Sequence, residues 1–396
     1  MSASNLTRLR RIALSAQGLL QAQPFGRGLN GARAAIEHIG YVQLDTISVV
    51  ERAHHHVLYS RVPNFHPDMA NRLLIDGDIF EYWSHAAAFL PIADFRFSLP
   101  YKHAIKSGQT HWHKAPDRTL MRQLLKRIRS EGPLRSRDIE STTAKRSGWW
   151  DWKPSKKALE QLYMEGDLMV CDRSGFQKTY DLTERVLPAN VSTKRPGIRE
   201  FAEHLLAQQL RCHGLVALKG LTYLRRNAAL RKTMKALVAD QLQAGVLQQI
   251  QAADGEVFFI AAETFEQPMP RVSDRLAILS PFDNSVIQRE RLTSIFGFDY
   301  QIECYVPASK RQYGYFCLPL LFRDTFVGRM DCKAHRKERR LEIKSLHFDP
   351  WDYTDDRVLD AFVAAVKRFS VFQNCDTITV SRVTPKRFLK PLRRAF

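Results

Sequence analysis

One pattern occurs three times along this chain and constrains its fold more than any other feature: a helical segment, a glycine that ends it, and a β-hairpin. The glycines of the three copies are Gly77, Gly166 and Gly245. Glycine readily adopts the left-handed backbone that ends helices, and alternating residues around a turn predict the hairpin. Three helices followed by a two-stranded wing form the winged-helix pattern, so the sequence predicts tandem winged-helix modules. The helices that this pattern predicts are 6–21, 31–39, 67–75, 120–129, 136–140, 154–164, 199–212 and 230–243.

The pattern changes after residue 267, where short β-rich segments with turns between them predict a small antiparallel barrel or curled sheet. We therefore expect an α+β chain with modules at 1–106, 107–190 and 191–267, and a C-terminal β-rich domain at 268–396. Polar and turn-rich stretches mark 107–117 and 188–196 as linkers. The predicted C-terminal strands are 278–282, 300–306, 313–321, 325–332, 341–348 and 377–380, and a helix is predicted at 355–372.

The charge of the chain indicates a polyanionic partner. Sixty Lys and Arg residues against 41 Asp and Glu residues leave a net charge of +19. A basic surface that only keeps the protein in solution, or one that binds acidic lipid, would show the same excess. Lipid binding would require an amphipathic basic helix with an apolar face, and none stands out in the sequence. Nucleic acid is therefore the leading candidate partner.

The distribution of apolar residues and cysteines bounds the cellular location. No run of about 18 apolar residues occurs, and the first residues lack the apolar segment of a secretion signal. We therefore expect a cytoplasmic protein. The six cysteines are scattered without a Cys-x-x-Cys pair, which argues against a zinc ribbon, an iron–sulfur cluster or a disulfide framework.

A candidate catalytic site lies in the segment 41–50, where Gln43 and Asp45 alternate with Val42 and Leu44. In an extended backbone the two polar side chains share one face while the aliphatic side chains pack against the core. A carboxylate and an amide in that arrangement can place and activate a water molecule. Alternatively, Asp45 caps the helix that follows and Gln43 is an exposed strand residue. The spacing alone favours the cap.

The run His54-His-His56 does not have the spacing of a metal site. Consecutive helical residues point about 100 degrees apart, so the three imidazoles cannot all face one ion. One of them could instead point toward a phosphate or a base. Neither a phosphate-binding loop nor a dinucleotide fingerprint occurs in the chain. We therefore expect an activity that requires no metal and no cofactor.

Two further segments are candidates for contacts with nucleic acid. Residues 333–340 are rich in Lys and Arg and form the predicted tip of a hairpin, which could neutralise phosphates or enter a minor groove. An ordinary solvated turn explains the same composition. The cluster Trp149, Trp150 and Trp152 could stack on bases, although three tryptophans before a helix more often fill an interface between modules.

These segments together resemble a known family. The Gln43-Leu44-Asp45 motif is followed by the block 52–63, by Leu279-Ser-Pro-Phe-Asp-Asn284, and by a late segment around 328–333 that leads to Phe348. This order resembles the YcaQ branch of the AlkZ/YcaQ family of bacterial winged-helix DNA glycosylases. The AlkZ branch carries Gln at the position of Asp45, so its substrate preferences should not be transferred without test.

The resemblance implies a DNA glycosylase that removes alkylated purines, including N7-alkylguanine, unhooks interstrand crosslinks and leaves abasic sites. It implies Asp45 as the catalytic carboxylate and Gln43 as its helper. We expect a monomer, associated with the nucleoid, that acts on double-stranded DNA. A non-enzymatic regulator built from winged-helix modules is the alternative, and it does not explain a carboxylate in a DNA-facing surface. The predicted DNA-binding residues are Arg52, His54, Arg61, Lys333, Arg336, Lys337, Arg339 and Arg340.

Overall fold

A computed structural model describes residues 3–139, 154–225 and 227–396. The chain divides into two compact units, of which the first comprises residues 1–66 and 202–396 and the second comprises residues 67–201. The tryptophan cluster at residues 149, 150 and 152 lies outside the described residues. The four predicted modules follow local sequence pattern whereas the two units follow packing, so the module boundaries stay a prediction.

The second unit contains two hairpins. Its helices are Asp68–Ile75, Leu99–Lys106, Arg118–Glu131, Pro154–Glu165 and Thr183–Val186, and its strands are Ile79–Trp83, Ala87–Pro91, Leu134–Arg135, Leu168–Asp172 and Thr179–Leu182. The glycine that ends the helix before the second hairpin, Gly166, has a φ of +87°, so the predicted left-handed helix stop is confirmed there. Residues 107–117 and 188–196 contain neither helix nor strand.

The hairpins gain a short third strand that the sequence pattern did not indicate. Leu134–Arg135 pairs with Thr179–Leu182, and in the first unit Leu215–Ala217 pairs in the same way with Val257–Ala261. The helix predicted at 136–140 is wrong in its described part, because residues 134–135 are extended and only a 3-10 turn, Ser136–Asp138, follows them. Strand pairing with a distant segment outweighed the local preference for a helix.

The first unit contains the N-terminal helices, the third hairpin and a large sheet. Its helices are Ala3–Ala16, Gly28–Ile39, Ala53–Tyr59, Leu218–Leu221, Ala228–Gln243, Ala262–Glu266, Arg289–Phe296, Asp355–Phe372 and Leu389–Ala395, and its strands before residue 270 are Val42–Gln43, Leu215–Ala217, Leu247–Gln251 and Val257–Ala261. The helix Ile198–His213 contains the boundary between the units. Gly245, before the third hairpin, has a φ of +70°.

The C-terminal sheet has six strands, which are Leu276–Ile278, Cys317–Phe322, Thr325–His335, Arg340–Phe348, Thr377–Val380 and Val383–Thr384. The first four pair in order and antiparallel, and two bulges, at residues 320/321 and 331/332, curl the sheet. The predicted curled sheet is confirmed, but it is not antiparallel throughout, because both later strands pair in parallel with Arg340–Phe348. The helix Asp355–Phe372 lies between these strands in the chain, and such a crossover returns the chain in the same direction.

The predicted strand at 300–306 is also absent, since residues 297–316 form an irregular loop apart from one 3-10 turn, Ala308–Lys310. The carboxylate of Glu303 accepts hydrogen bonds from the backbone N–H groups of Gln312, Tyr313 and Gly314, at 2.7, 2.8 and 3.0 Å. A side chain thus takes donors that a strand partner would otherwise take, and the alternating pattern of the loop leads to no sheet.

Lys102 is a buried cation that limits the stability of the second unit. Its side chain is 4% exposed and its ammonium lies 4.0 Å from the ring centre of Phe95 and 4.6 Å from that of Tyr82. None of the described carboxylates pairs with it. Burial lowers the pKa of Lys102 to about 7, well below its ordinary value of 10.5. The folded state therefore binds fewer protons than the unfolded state between these two pH values, and stability rises with pH across that window.

We expect Lys102→Met to raise the free energy of unfolding by about 1–3 kcal/mol at pH 7, because removal of the buried charge outweighs the lost cation–π contacts. The gain should shrink toward pH 10.5, where the unfolded lysine also loses its proton. Urea unfolding midpoints at pH 7 and pH 10 measure this. Lys106→Met, on the exposed side of the same helix, is the matched control and should change little. A lower midpoint for Lys102→Met at pH 7 would contradict the expectation.

Candidate active site

The segment that carries Gln43 and Asp45 is extended and well anchored. A left-handed Gly40 ends the helix Gly28–Ile39, and Val42–Gln43 forms a two-residue strand. Val42 is fully buried and Leu44 is buried, as the alternation predicts. Gln43 is buried as well, at 8% exposure, so the alternative in which it is an exposed strand residue is wrong. Asp45 is half-buried.

Asp45 forms a turn and does not cap a helix. Its Oδ1 accepts a hydrogen bond from the backbone N–H of Ile47 at 2.7 Å, which is an Asx turn. The next helix begins at Ala53, with Arg52 at its N-cap position. The predicted helix cap is therefore wrong. The carboxylate therefore contributes to the local turn of the segment that follows the strand.

The environment of Asp45 makes its carboxylate more basic. Burial raises the pKa of Asp45 above its ordinary value, and this effect exceeds the lowering by the backbone N–H of Ile47, by the charge of Arg52 and by the backbone N–H of Thr46. A carboxylate with a raised pKa accepts a proton more readily, which suits a general base. Arg52 is half-buried and its guanidinium donates to the carbonyl of Thr46 at 3.3 Å.

The Leu279-Ser-Pro-Phe-Asp-Asn284 segment anchors the chain immediately before the strand that carries Gln43. Asn284 Nδ2 donates to the carbonyl oxygens of Ile39 and Tyr41, at 3.2 and 3.1 Å. These two carbonyls lie on either side of Gly40, immediately before the strand that carries Gln43. The motif therefore fixes the position at which that strand begins. The sequence marked this motif but gave no sign of what it contacts.

Arg61 is the central cation of the same anchor. Its guanidinium donates to both oxygens of Asp283, at 2.6 and 2.8 Å, and to the backbone and side-chain oxygens of Gln17, at 2.8 and 2.9 Å. Arg61 and Asp283 are both fully buried. The prediction that Arg61 contacts DNA is therefore wrong, because its donors are directed into the core and engaged there.

The three histidines are structural in this arrangement. His54 is 2% exposed, so the structure places it away from any surface that DNA can reach. His55 Nδ1 pairs with Glu51 at 2.9 Å. His56 Nε2 lies 2.8 Å from the carbonyl of Ile278, and burial lowers the pKa of His56 to about 4. No group of three or more His, Cys, Asp or Glu side chains among residues 3–139, 154–225 and 227–396 could hold a metal ion.

The basic hairpin joins the Asp45 segment, which brings two of the predicted sites together. The guanidinium of Arg336 donates to the carbonyls of Ser48 and Val50, at 2.8 and 3.0 Å. The backbone N–H of Ala334 donates to the carbonyl of Val49 at 2.8 Å. Arg336 thus clamps the residues after Asp45 against the hairpin, which is a positioning role that its charge alone did not indicate.

The other basic residues of the hairpin divide into two groups. Arg339 pairs with both oxygens of Asp376, and Arg340 pairs with Glu338. Lys333 and Lys337 are exposed and form no ion pair with any described residue. Among these four residues, the two lysines are therefore the ones whose charge no described carboxylate neutralises.

One exposed aromatic residue, Tyr305, is not among the predicted site residues. Tyr305 is 75% exposed and lies in the loop 297–316. Partial burial raises the pKa of Tyr305, and the charges of Cys304 and Asp45 raise it further. Burial raises the pKa of the Cys304 thiol, and Asp45 again adds to the effect. Residues 300–306 were predicted to form a strand, so the exposure of Tyr305 on an irregular loop could not be foreseen.

The chain is similar to known proteins in sequence and in fold. A sequence profile of the family described as DNA glycosylase AlkZ-like matches residues 36–370, which is most of the chain. The chain belongs to this family. The matched region contains the Asp45 segment, the Asn284 anchor and the basic hairpin. Family membership favours a DNA glycosylase over the non-enzymatic regulator and makes DNA the substrate.

The fold of this AlkZ-like chain is shared with a solved structure. Streptomyces sahachiroi DNA glycosylase AlkZ superposes with a TM-score of 0.59 at 14% sequence identity, and the match covers 95% of this chain and 99% of that one. At this identity the likeness concerns the mixed α+β fold alone.

Among the described helices, none combines the length and the apolar composition that a membrane span requires.

Proposed function

We propose that this protein hydrolyses the N-glycosidic bond of alkylated purines in double-stranded DNA, N7-alkylguanine above all, and thereby unhooks interstrand crosslinks and leaves abasic sites. The observation that carries the proposal is Asp45, a half-buried carboxylate with a raised pKa that lies two residues after the anchored strand of an AlkZ-like chain. Asp at this position follows the YcaQ-like motif, whereas the AlkZ branch has Gln there.

The reaction requires two things of the enzyme: a negative charge that stabilises the developing sugar cation, and a positioned water molecule. Alkylation at N7 gives the purine a positive charge, so the base leaves without being protonated first. The sugar then develops oxocarbenium character, which a carboxylate stabilises, and the same carboxylate can take a proton from the attacking water. Asp45 would perform both tasks. Gln43 would orient the water or the sugar through its amide.

We further propose that the helix-and-hairpin segments act as winged-helix modules on the duplex. Two of them carry basic helices, Arg118–Glu131 in the second unit and Ala228–Gln243 in the first. Arg122, Lys126, Arg231, Lys232 and Lys235 are side chains on these helices at least partly open to solvent. Cations on an accessible helix can neutralise phosphates, and the net charge of +19 supports this use.

The proposal is tested by incubating the full chain with two duplexes, one carrying a single N7-methylguanine and one carrying a nitrogen-mustard crosslink between its strands. We expect free N7-methylguanine from the first and separable strands on a denaturing gel from the second. An undamaged duplex of the same sequence is the control. Absence of base release from both damaged duplexes would contradict the proposed function.

The pH dependence of excision should follow the ionisation of Asp45. Only the ionised carboxylate can accept a proton from water, so the single-turnover rate should rise with pH through a pKa above 3.8 and then level off. A cationic leaving group needs no general acid, so no falling limb is expected at neutral pH. Rates measured from about pH 4.5 to 8, corrected for spontaneous depurination, test this. A rate independent of pH, or a bell-shaped profile, would contradict it.

DNA affinity should fall steeply with salt, and the two unpaired lysines of the hairpin should contribute to the slope. In a plot of the logarithm of the binding constant against the logarithm of the salt concentration, each phosphate neutralised adds about 0.9 to the steepness of the slope. We expect Lys333→Ala and Lys337→Ala each to lower the slope by up to about 1, and Arg339→Ala, whose charge already faces Asp376, to leave it nearly unchanged. Fluorescence anisotropy with an undamaged duplex measures this. If wild type and the three variants all had the same slope, the hairpin would not be part of the DNA-binding surface.

A further inference from the structure

A shallow cavity in the first unit has two arginines and no carboxylate among its described lining residues. Its volume is about 280 Å³, and it opens to solvent. The polar residues that line it are Tyr59, Ser60, Arg275 and Arg368, and the other lining residues are apolar. Pockets for whole small molecules usually hold about 300–1,000 Å³, so this space fits one small group. Two cations without a counter-charge favour an anion there.

The helix Asp355–Phe372 forms one wall of the cavity. Arg368 lies one helical turn before Phe372, so the two side chains share a face of this helix. The ring of Phe372 stacks on the ring of Tyr59, with 4.0 Å between the centroids and 10° between the planes. This stack holds Tyr59, the last residue of the helix Ala53–Tyr59, against the helix face that carries Arg368.

Arg275 is held at the cavity by backbone carbonyls. Its guanidinium donates to the carbonyl oxygens of Ser60 and Gln21, at 3.1 and 3.0 Å. These acceptors fix the side chain without neutralising its charge. The adjacent carboxylate, Asp274, pairs with two other arginines. Burial lowers the pKa of Arg275, and the charge of Arg368 lowers it further. The cation of Arg275 therefore has no carboxylate partner in the described structure.

Arg368 and Tyr59 have polar groups that the fold does not use. Arg368 is exposed and forms neither an ion pair nor a hydrogen bond with any described residue. The hydroxyl of Tyr59 likewise has no hydrogen-bond partner within residues 3–139, 154–225 and 227–396. Two guanidiniums at one cavity repel each other, and an anion between them would replace that repulsion with attraction. The hydroxyl could donate a further hydrogen bond to such an anion.

The cavity lies within reach of a duplex bound at Asp45. The chain from Asp45 to Ala53 can span at most about 28 Å, and the helix Ala53–Tyr59 adds about 10 Å. A DNA strand carries one phosphate about every 3.4 Å, so a duplex of about 12 base pairs covers the whole distance. Because the chain belongs to a family of DNA glycosylases, the DNA backbone is the anion that its substrate supplies.

We propose that this cavity is a phosphate-binding site, in which Arg275 and Arg368 hold one phosphate of the DNA backbone and the Tyr59 hydroxyl donates to it. The planar guanidinium presents paired N–H groups that match the oxygens of a phosphate. The proposal rests on the proposed function, which makes duplex DNA the substrate, and it adds a point at which the duplex is held.

The test compares the full-length wild type with Arg368→Ala, Lys367→Ala and Tyr59→Phe. Lys367 is the matched control, because it is the exposed neighbour of Arg368 on the same helix, has no described ion pair and does not line the cavity. Binding of an undamaged duplex is followed by fluorescence anisotropy over a series of salt concentrations. Melting temperatures are measured in chloride and in inorganic phosphate at equal ionic strength, which checks folding and tests for a free anion.

We expect Arg368→Ala to lower the steepness of the salt dependence by about 0.9, the contribution of one phosphate, and Lys367→Ala to leave it nearly unchanged. Tyr59→Phe keeps the ring that stacks on Phe372 and removes only the hydroxyl. It should therefore weaken duplex binding roughly 2- to 10-fold, the size of one hydrogen bond, without changing the salt dependence.

The inference would be overturned if Arg368→Ala had the salt dependence of wild type, or if Lys367→Ala changed it as much as Arg368→Ala. An unchanged salt dependence, together with stabilisation by inorganic phosphate that Arg368→Ala abolishes, would assign the cavity to a free phosphate compound and overturn the DNA assignment. Excision by wild type is measured separately. Normal excision with either result leaves the proposed function intact, whereas the expected Arg368 effect without excision supports the phosphate site and overturns the proposed function.

Discussion

Asp45→Asn is expected to lose about 10²- to 10⁴-fold in the rate of base excision, which is the usual contribution of a general base. The fold should tolerate the change, because the amide oxygen of Asn can accept the same hydrogen bond from Ile47. Burial raises the pKa of Asp45, so loss of its charge should leave stability unchanged or slightly higher. Duplex binding should persist or tighten, since one negative charge is removed.

Single-turnover release of N7-methylguanine, measured at saturating enzyme alongside melting temperatures, tests this expectation. Asp352→Asn is a matched control, because it removes an exposed carboxylate that has no ion pair among the described residues. Gln43→Ala should cost less than Asp45→Asn, since it removes positioning and leaves the carboxylate. If the Asp45→Asn protein had the wild-type rate, Asp45 would not be catalytic, and its role would be limited to stabilising the turn.

Arg61→Met is expected to be the most destabilising single change, at about 3–5 kcal/mol. It leaves the carboxylate of Asp283 uncompensated in a fully buried position, which is far more costly than the pair itself is favourable. The charge of Arg61 holds the pKa of Asp283 below its ordinary value despite burial. The anchor of the Gln43 strand should loosen as well, because Asn284 follows Asp283 directly.

Urea unfolding followed by circular dichroism measures this effect. Arg357→Met is the matched control, because it breaks the ion pair with Asp274, in which both side chains are nearly half exposed, and such pairs are worth at most about 1 kcal/mol. The double variant Arg61→Met with Asp283→Leu should recover part of the loss, since no unpaired charge remains. If Arg61→Met unfolded at the same urea concentration as Arg357→Met, the proposed anchor would be wrong.

Elements with a strong local signal could be predicted from the sequence. The helix Asp355–Phe372 and the strand Thr377–Val380 have the predicted bounds. Their apolar spacing and flanking turns are short-range properties that the folded structure did not override. The glycine stops before the hairpins were predictable for the same reason, because the left-handed backbone is a property of the residue itself.

Contacts between distant residues were the part that the sequence could not indicate. Arg61 lies in a basic block and resembles a DNA contact, but its partner Asp283 is 222 residues away in the chain. Arg336 resembles a phosphate contact for the same reason, yet it binds carbonyls 286 and 288 residues before it. Charge is visible in a sequence, whereas the group that neutralises it depends on tertiary packing.

The candidate site shows the same division. Gln43 and Asp45 were identifiable through their motif, while the turn at Asp45 and the exposure of Tyr305 on an irregular loop depend on tertiary structure. The loop of Tyr305 alternates polar and apolar residues as a strand does. Its backbone donors are satisfied by Glu303 and Asp331 instead of by a neighbouring strand. Side-chain carboxylates that replace a sheet partner leave no periodic signal.

The most direct measurement distinguishes attack by water from attack by an amine of the protein. The full chain is incubated with a duplex carrying one N7-methylguanine, once alone and once with borohydride, which traps a covalent amine–sugar intermediate. We expect free N7-methylguanine, a strand that stays intact until alkali cleaves it at the abasic site, and no trapped complex. Strand cleavage by the protein together with a trapped covalent complex would contradict hydrolysis assisted by Asp45, and so would the absence of free base.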